Sequence, residues 1–175
     1  MTVLVLGPSG PGKSAYAEKL VSKLSGGTIY YISTMAPFGG EGLGRVMGHK
    51  LARKGRPFVT VEQLYFVSGL VLPKGATVLL EDASSLLANV LFSEKQRGGM
   101  ISTYRDITDL CGRCKAAVIA SVDGLVPGPE FDSKTCGYIE MLNQLNGKLS
   151  EFSDAVIQMR NDIPVIIKGD IHALG

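Results

Sequence analysis

Near the start of the chain, the apolar run Val3-Leu4-Val5-Leu6 leads into Gly7-Pro8-Ser9-Gly10-Pro11-Gly12-Lys13-Ser14, and a stretch of helical character follows at residues 15–24. Strand, glycine-rich loop and helix in immediate succession admit few architectures. The glycines let the backbone curl so that successive N–H groups face one concavity, and the following helix adds its positive end. Lys13 then neutralises β- and γ-phosphate oxygens, and Ser14 is placed to offer its hydroxyl to Mg²⁺. The eight residues Gly7 to Ser14 therefore read as the anion cradle of a nucleoside triphosphate site. Pro11 lies inside it without an N–H, which removes one donor and predicts a weaker hold on phosphate.

At 175 residues the chain is expected to form one domain, residues 1–175, with enough length to bury a real core. Basic residues are spread rather than clustered and the net charge is only +2, which argues against a dedicated nucleic-acid binder. No apolar stretch of about 18 residues and no secretory leader stands out, so the cytoplasm is the expected compartment, with no membrane span. Three cysteines form no disulfide framework. Cys111 and Cys114 are spaced as Cys-x-x-Cys, but they close a helical stretch before a strand, the reverse of a thioredoxin-like motif. Zinc would need four ligands, and only Cys136, His49 and His172 remain, far apart in sequence.

Short β-rich runs at residues 2–6, 28–33, 77–81, 117–122, 156–160 and 165–168 alternate with helical segments at 14–24, 84–93, 101–114 and 137–152. Gly26 and Gly27 stop the first of these helices. The pattern predicts a three-layer α/β domain with a mainly parallel sheet. The last two strands flank Asn161-Asp162 and are expected to pair as an antiparallel hairpin, with Pro164 tolerated at a strand start or edge. Residues 35–56 hold six glycines, a density that costs about 1 kcal/mol per site in a helix, so a mobile loop that closes over ligand is expected there.

Glu81 and Asp82 end the apolar run Val78-Leu79-Leu80, as a strand does when it delivers a carboxylate beside Mg²⁺. Either residue suits that role, and either suits a cap on the helix that begins near Ser84-Ser85. His49 sits in the glycine-rich segment among Arg45, Lys50, Arg53, Lys54 and Arg56. A lone loop histidine is usually a bystander. Here a neutral imidazole nitrogen has the chemistry to attack phosphorus, and the surrounding cations suit developing phosphate charge.

The order of these features resembles the adenosylcobinamide kinase / adenosylcobinamide-phosphate guanylyltransferase family of cobalamin biosynthesis. The segments that carry the resemblance are the phosphate loop with Ser14-Ala15-Tyr16-Ala17-Glu18, then Ile29-Tyr30-Tyr31-Ile32-Ser33-Thr34, then Glu41, Arg45 and His49. Arg56-Pro57, Glu62, Leu79-Leu80-Glu81 and Asn89-Val90-Leu91-Phe92 continue it. The resemblance implies a RecA-like P-loop NTPase domain, homo-oligomeric and often trimeric, that uses Mg²⁺ and GTP or ATP. It implies phosphorylation of the corrinoid adenosylcobinamide, then GMP transfer from GTP through a guanylylated histidine, with His49 in that place and Lys13 as its catalytic partner. By the same resemblance Ser33, Thr34, Lys50, Glu62 and Glu81 line the nucleotide, and Ser14, Glu81 and Asp82 serve the metal. The chain departs from the family at Ser121-Val122-Asp123-Gly124-Leu125-Val126-Pro127, which is shorter, and along residues 136–144, which lack the family's arginines. Two other readings compete: a simpler P-loop kinase or NTPase without a covalent histidine, and a nucleotide-binding protein that has lost catalysis.

Overall fold

The computed structural model describes residues 1–35, 57–93 and 98–170, and the statements below concern those residues. Seven strands form one sheet in the order β3-β2-β4-β5-β1-β6-β7, with β1 Thr2–Gly7, β2 Ile29–Ser33, β3 Phe58–Glu62, β4 Thr77–Glu81, β5 Ala116–Val122, β6 Ala155–Arg160 and β7 Ile163–Lys168. The first six run parallel, and β7 returns antiparallel to β6. The expected α/β class, parallel sheet and closing hairpin are all present, and Pro164 sits on an edge strand where no ladder N–H is missed.

Helices cover both faces because the central strands are apolar on both. Val3 and Val5 of β1 pack with Ala17 and Val21 of α1 (Pro11–Leu24), together with Leu79, Val118 and Ile157. Leu4 points the other way, into a core with Leu86 and Leu87 of α2 (Ala83–Phe92), Ile107 and Leu110 of α3 (Met100–Gly112), and Leu142, Leu145 and Leu149 of α4 (Ser133–Phe152). Successive β side chains alternate between faces, so one strand such as β1 feeds both cores. Three layers result.

Several boundaries differ from the sequence expectation. α1 begins at Pro11, because proline suits a first helical position where the N–H has no intrahelical acceptor. α4 begins at Ser133, before the expected residue 137, because the Asp132 carboxylate accepts the Thr135 N–H at 2.7 Å and caps it. β3 was not expected as a strand at all. Nearly all of the glycine-rich segment, residues 36–56, lies outside the described residues, and with it the expected mobile loop.

Candidate nucleotide site

Six parallel strands bring their carboxyl ends to one edge of the sheet, the usual place for ligands in an open α/β fold. That edge collects Gly7 of β1, Glu81 of β4, Ser33 of β2, Glu62 of β3 and Arg160 of β6. The loop 7–10 runs from the end of β1 into α1, whose first turn carries Lys13 and Ser14. The loop is closely packed: a Cβ on Gly7 would lie 2.8 Å from Met159 Cβ, so only glycine lets β6 approach here.

Behind the loop lies a buried polar cluster. The Ser14 hydroxyl donates to Glu81 Oε1, and Lys13 Nζ stands 4.0 Å from Asp82 Oδ2. Lys13, Ser14, Glu18, Glu81 and Asp82 are all buried. Burial pushes the Glu81 carboxyl from its usual 4.5 up to about 7. Lys13 pulls against that, Asp82 adds to it, the Ser14 hydroxyl pulls against it, and Glu18 adds to it. Glu18 was quoted from sequence only as part of a motif. Its position four residues after Ser14, on the same face of α1, is the signal that sets it here.

Asp82 divides its carboxylate. Oδ1 accepts the Ser85 N–H at 2.6 Å and the Ser84 hydroxyl at 2.7 Å, which makes Asp82 the cap of α2, while Oδ2 faces Lys13. The peptide bond joining Glu81 to Asp82 is cis. Thr34, just past β2, holds this turn from beneath. Its hydroxyl donates to the Asp82 carbonyl at 2.7 Å and accepts the Asp82 N–H at 2.8 Å, and the Thr34 N–H donates to the Glu81 carbonyl at 2.9 Å. The Asn89 side chain in turn donates to the carbonyls of Thr34 at 2.7 Å and Leu64 at 3.1 Å. Thr34 is thus fully buried, with its hydroxyl committed to the Asp82 backbone.

Of the residues assigned from sequence, Lys13, Ser14, Glu81 and Asp82 come together, with Thr34 beneath them. Ser33 pairs in register with Glu81 on one side and Glu62 on the other. Glu62 is exposed on the edge strand, four strand spacings or about 19 Å from Gly7. His49 and Lys50 lie outside the described residues. Cys111 and Cys114 close α3 before β5 as expected, with Cys111 buried.

The residues fit a divalent cation. Glu81 Oε2 is buried with no hydrogen-bond partner among the described residues, and Glu81 and Asp82 share the buried cluster with Lys13. Among the described residues no group of three His, Cys, Asp or Glu side chains forms a metal cage. Mg²⁺ takes one or two protein oxygens and completes its shell with water and phosphate, a demand that one hydroxyl and one carboxylate oxygen meet. Ser14 Oγ and Glu81 are the residues that would hold it.

No helix among the described residues is long and apolar enough to cross a membrane. No curated protein matches the sequence. Among solved structures the chain is similar to a unique ATP synthase subunit, NeqB, from Nanoarcheaum equitans, with a TM-score of 0.56 and 11% identity over 99% of this chain and 52% of that one. The chain spans about half the length of that subunit, and the likeness is one of fold. The family model for cobinamide kinase / cobinamide phosphate guanyltransferase matches residues 3–167. That match takes in the phosphate loop, the Glu81 strand and the closing hairpin together, and the chain belongs to the cobinamide kinase / cobinamide phosphate guanyltransferase family.

Proposed function

We propose that this protein carries out both reactions of its family in cobalamin biosynthesis, with one nucleotide site and with His49 as the covalent nucleophile. The observation that carries the reading is the family match across residues 3–167, and the buried Lys13, Ser14 and Glu81 cluster behind the phosphate loop supports it. In the kinase reaction the aminopropanol hydroxyl of adenosylcobinamide attacks the γ-phosphorus of GTP or ATP. A new P–O bond forms, the γ-phosphoanhydride bond breaks, and the hydroxyl proton leaves to solvent. Lys13 and the loop N–H groups hold the phosphates in line.

In the transferase reaction a neutral His49 nitrogen attacks the α-phosphorus of GTP, an N–P bond forms and pyrophosphate leaves. A phosphate oxygen of cobinamide phosphate then attacks that phosphorus, the N–P bond breaks, and cobinamide-GDP departs with the imidazole restored. Mg²⁺, when bound, supplies charge neutralisation on the phosphate oxygens. Ser33, Glu62 and Lys50 complete the nucleotide's surroundings in this reading, and the working form is a homo-oligomer.

The test is labelling with α-³²P GTP in the presence of Mg²⁺. The wild-type protein retains label that survives alkali and is lost in acid, and His49→Ala abolishes it while still phosphorylating cobinamide. Full label on His49→Ala refutes the covalent role, and absence of phosphorylated cobinamide with folded wild-type protein refutes the kinase role.

A further inference from the structure

A hydrogen-bonded bridge crosses the sheet edge beside the phosphate loop, and the buried cluster behind the loop does not include it. Gln158 of β6 donates from Nε2 to Asp123 Oδ2 at 2.7 Å, and its Oε1 accepts the Arg160 Nε–H at 2.9 Å. A carboxylate only accepts and a guanidinium only donates, so the amide between them has one orientation. The bridge passes from β5 to β6 across β1, where Gly7 pairs with Val122 and Leu6 pairs with Gln158. The Asp123 N–H also donates to the Gly7 carbonyl at 3.1 Å, which ties its backbone to the first residue of the loop. Gly124 follows at a φ of 77° and turns the chain away. Asp123 is thus held by its backbone and by its side chain.

Sheet cohesion does not require the bridge, because β1 already pairs with both β5 and β6. What the bridge fixes is the direction of one carboxylate. β5 lies between β1, which leads into Lys13 and Ser14, and β4, which delivers Glu81, so the end of β5 is flanked by the groups that address a γ-phosphate and its metal. Val156 packs into the core with α4, while Ile157 and Met159 pack with α1. Gln158 and Arg160 alternate with them and stand on the face away from α1. The loop and α1 close one side of the phosphates, which leaves the side of Asp123 to a second substrate. An alcohol that attacks phosphorus must lose its proton, and a positioned carboxylate is a suitable acceptor for it.

We propose that Asp123 is the general base of the kinase reaction, with Gln158 and Arg160 as the positioning residues that aim its carboxylate. The acceptor O–H bond breaks and its proton goes to Asp123 as the new P–O bond forms. The bond between the γ-phosphorus and its bridging oxygen breaks, the nucleoside diphosphate leaves, and Asp123 passes the proton to solvent. This rests on the reading of the chain as a kinase of adenosylcobinamide.

Steady-state phosphorylation of adenosylcobinamide by GTP with Mg²⁺ tests it on wild type, Asp123→Asn, Asp123→Glu and Gln158→Leu, with equilibrium binding of GTP and a thermal melt on each protein. Asp123→Asn keeps an oxygen to accept from Gln158 and loses the base, so kcat falls about a hundredfold or more while KM holds. Asp123→Glu keeps the carboxylate and recovers part of that loss. Gln158→Leu leaves the carboxylate unaimed and lowers kcat by a smaller factor, again without a rise in KM. A kcat for Asp123→Asn close to that of wild type overturns the base. Asp123→Asn outperforming Asp123→Glu overturns it too, since that is the order a purely structural bridge gives, and so does a rise in KM for GTP at constant kcat, which makes Asp123 a binding residue. A wild-type kcat in Gln158→Leu overturns the positioning role. A folded wild type that binds GTP and phosphorylates no adenosylcobinamide removes the kinase reading itself, and this proposal with it.

Discussion

Exchanging Thr34 for valine keeps the side chain's shape and deletes one hydroxyl, and the structure lets the cost be worked out bond by bond. Thr34 is fully buried, so no water replaces what is lost. The Asp82 carbonyl keeps a partner, since the Leu86 N–H also donates to it at 3.1 Å, and this half of the exchange costs the net worth of one hydrogen bond, about 1 kcal/mol. The Asp82 N–H has the Thr34 hydroxyl at 2.8 Å as its acceptor and is left unpaired, at about 1–3 kcal/mol. The sum is about 2–4 kcal/mol. Thr34→Ser is the control, because it keeps both bonds and removes one buried methyl, at about 1 kcal/mol. Urea unfolding followed by circular dichroism reads both, and an unchanged slope certifies that the shift in midpoint is one of stability. If Thr34→Val proves as stable as Thr34→Ser, the hydroxyl is not holding the acidic turn and the reasoning fails.

Two further outcomes follow from the buried titratable groups. In EDTA, wild-type stability falls as pH rises from about 5 to 8, because the unfolded chain ionises Glu81 near 4.5 while the folded chain keeps its proton until about 7. Glu81→Gln lacks this dependence, so the stability difference between the two proteins changes by about 2–3 kcal/mol over that range, and a constant difference contradicts the burial argument. Burial likewise pushes the Cys111 thiol up to about 12, so iodoacetamide at about pH 8 leaves Cys111 unmodified in the folded protein and reacts with it in urea. Peptide mapping that finds Cys111 alkylated equally fast in both states counts against its burial.

What the sequence displayed was what is local. The phosphate loop, its flanking strand and helix, the acidic end of β4 and the Asn161-Asp162 hairpin each announce themselves within about ten residues, because turn chemistry and periodicity act over that distance. β3 escaped for a physical reason: Phe58–Glu62 is a five-residue edge strand with no fully buried position, and its short Val59-Thr60-Val61-Glu62 alternation follows directly on the glycine-rich segment. The role of Thr34 was equally hidden, since its two partners belong to a residue 48 positions away and nothing near Thr34 encodes that pairing. Asp82 was read as either metal ligand or helix cap, and the geometry shows one oxygen in the cap and the other toward Lys13. His49, Lys50 and the segment around them lie outside the described residues.

The cluster behind the loop also bears on the order in which its ligands assemble. Glu81 and Asp82 are buried beside Lys13, two carboxylates to one ammonium, and Glu81 is raised first by burial, with the Asp82 charge adding to it. An ionised Glu81 costs the folded state about 3 kcal/mol at neutral pH. A ligand present at a hundredfold its dissociation constant returns about 2.7 kcal/mol, which is of the same size. A nucleoside triphosphate without metal brings several negative charges to a site already short of cations, and so worsens the deficit. On the proposed reading, therefore, metal and nucleotide bind with positive coupling: the metal supplies the missing positive charge, and the nucleotide without it adds to the deficit. A thermal melt with Mg²⁺ alone, GTP alone and both reads this directly. Stabilisation by the pair no greater than the sum of the separate effects would show that the buried carboxylates do not set the binding order.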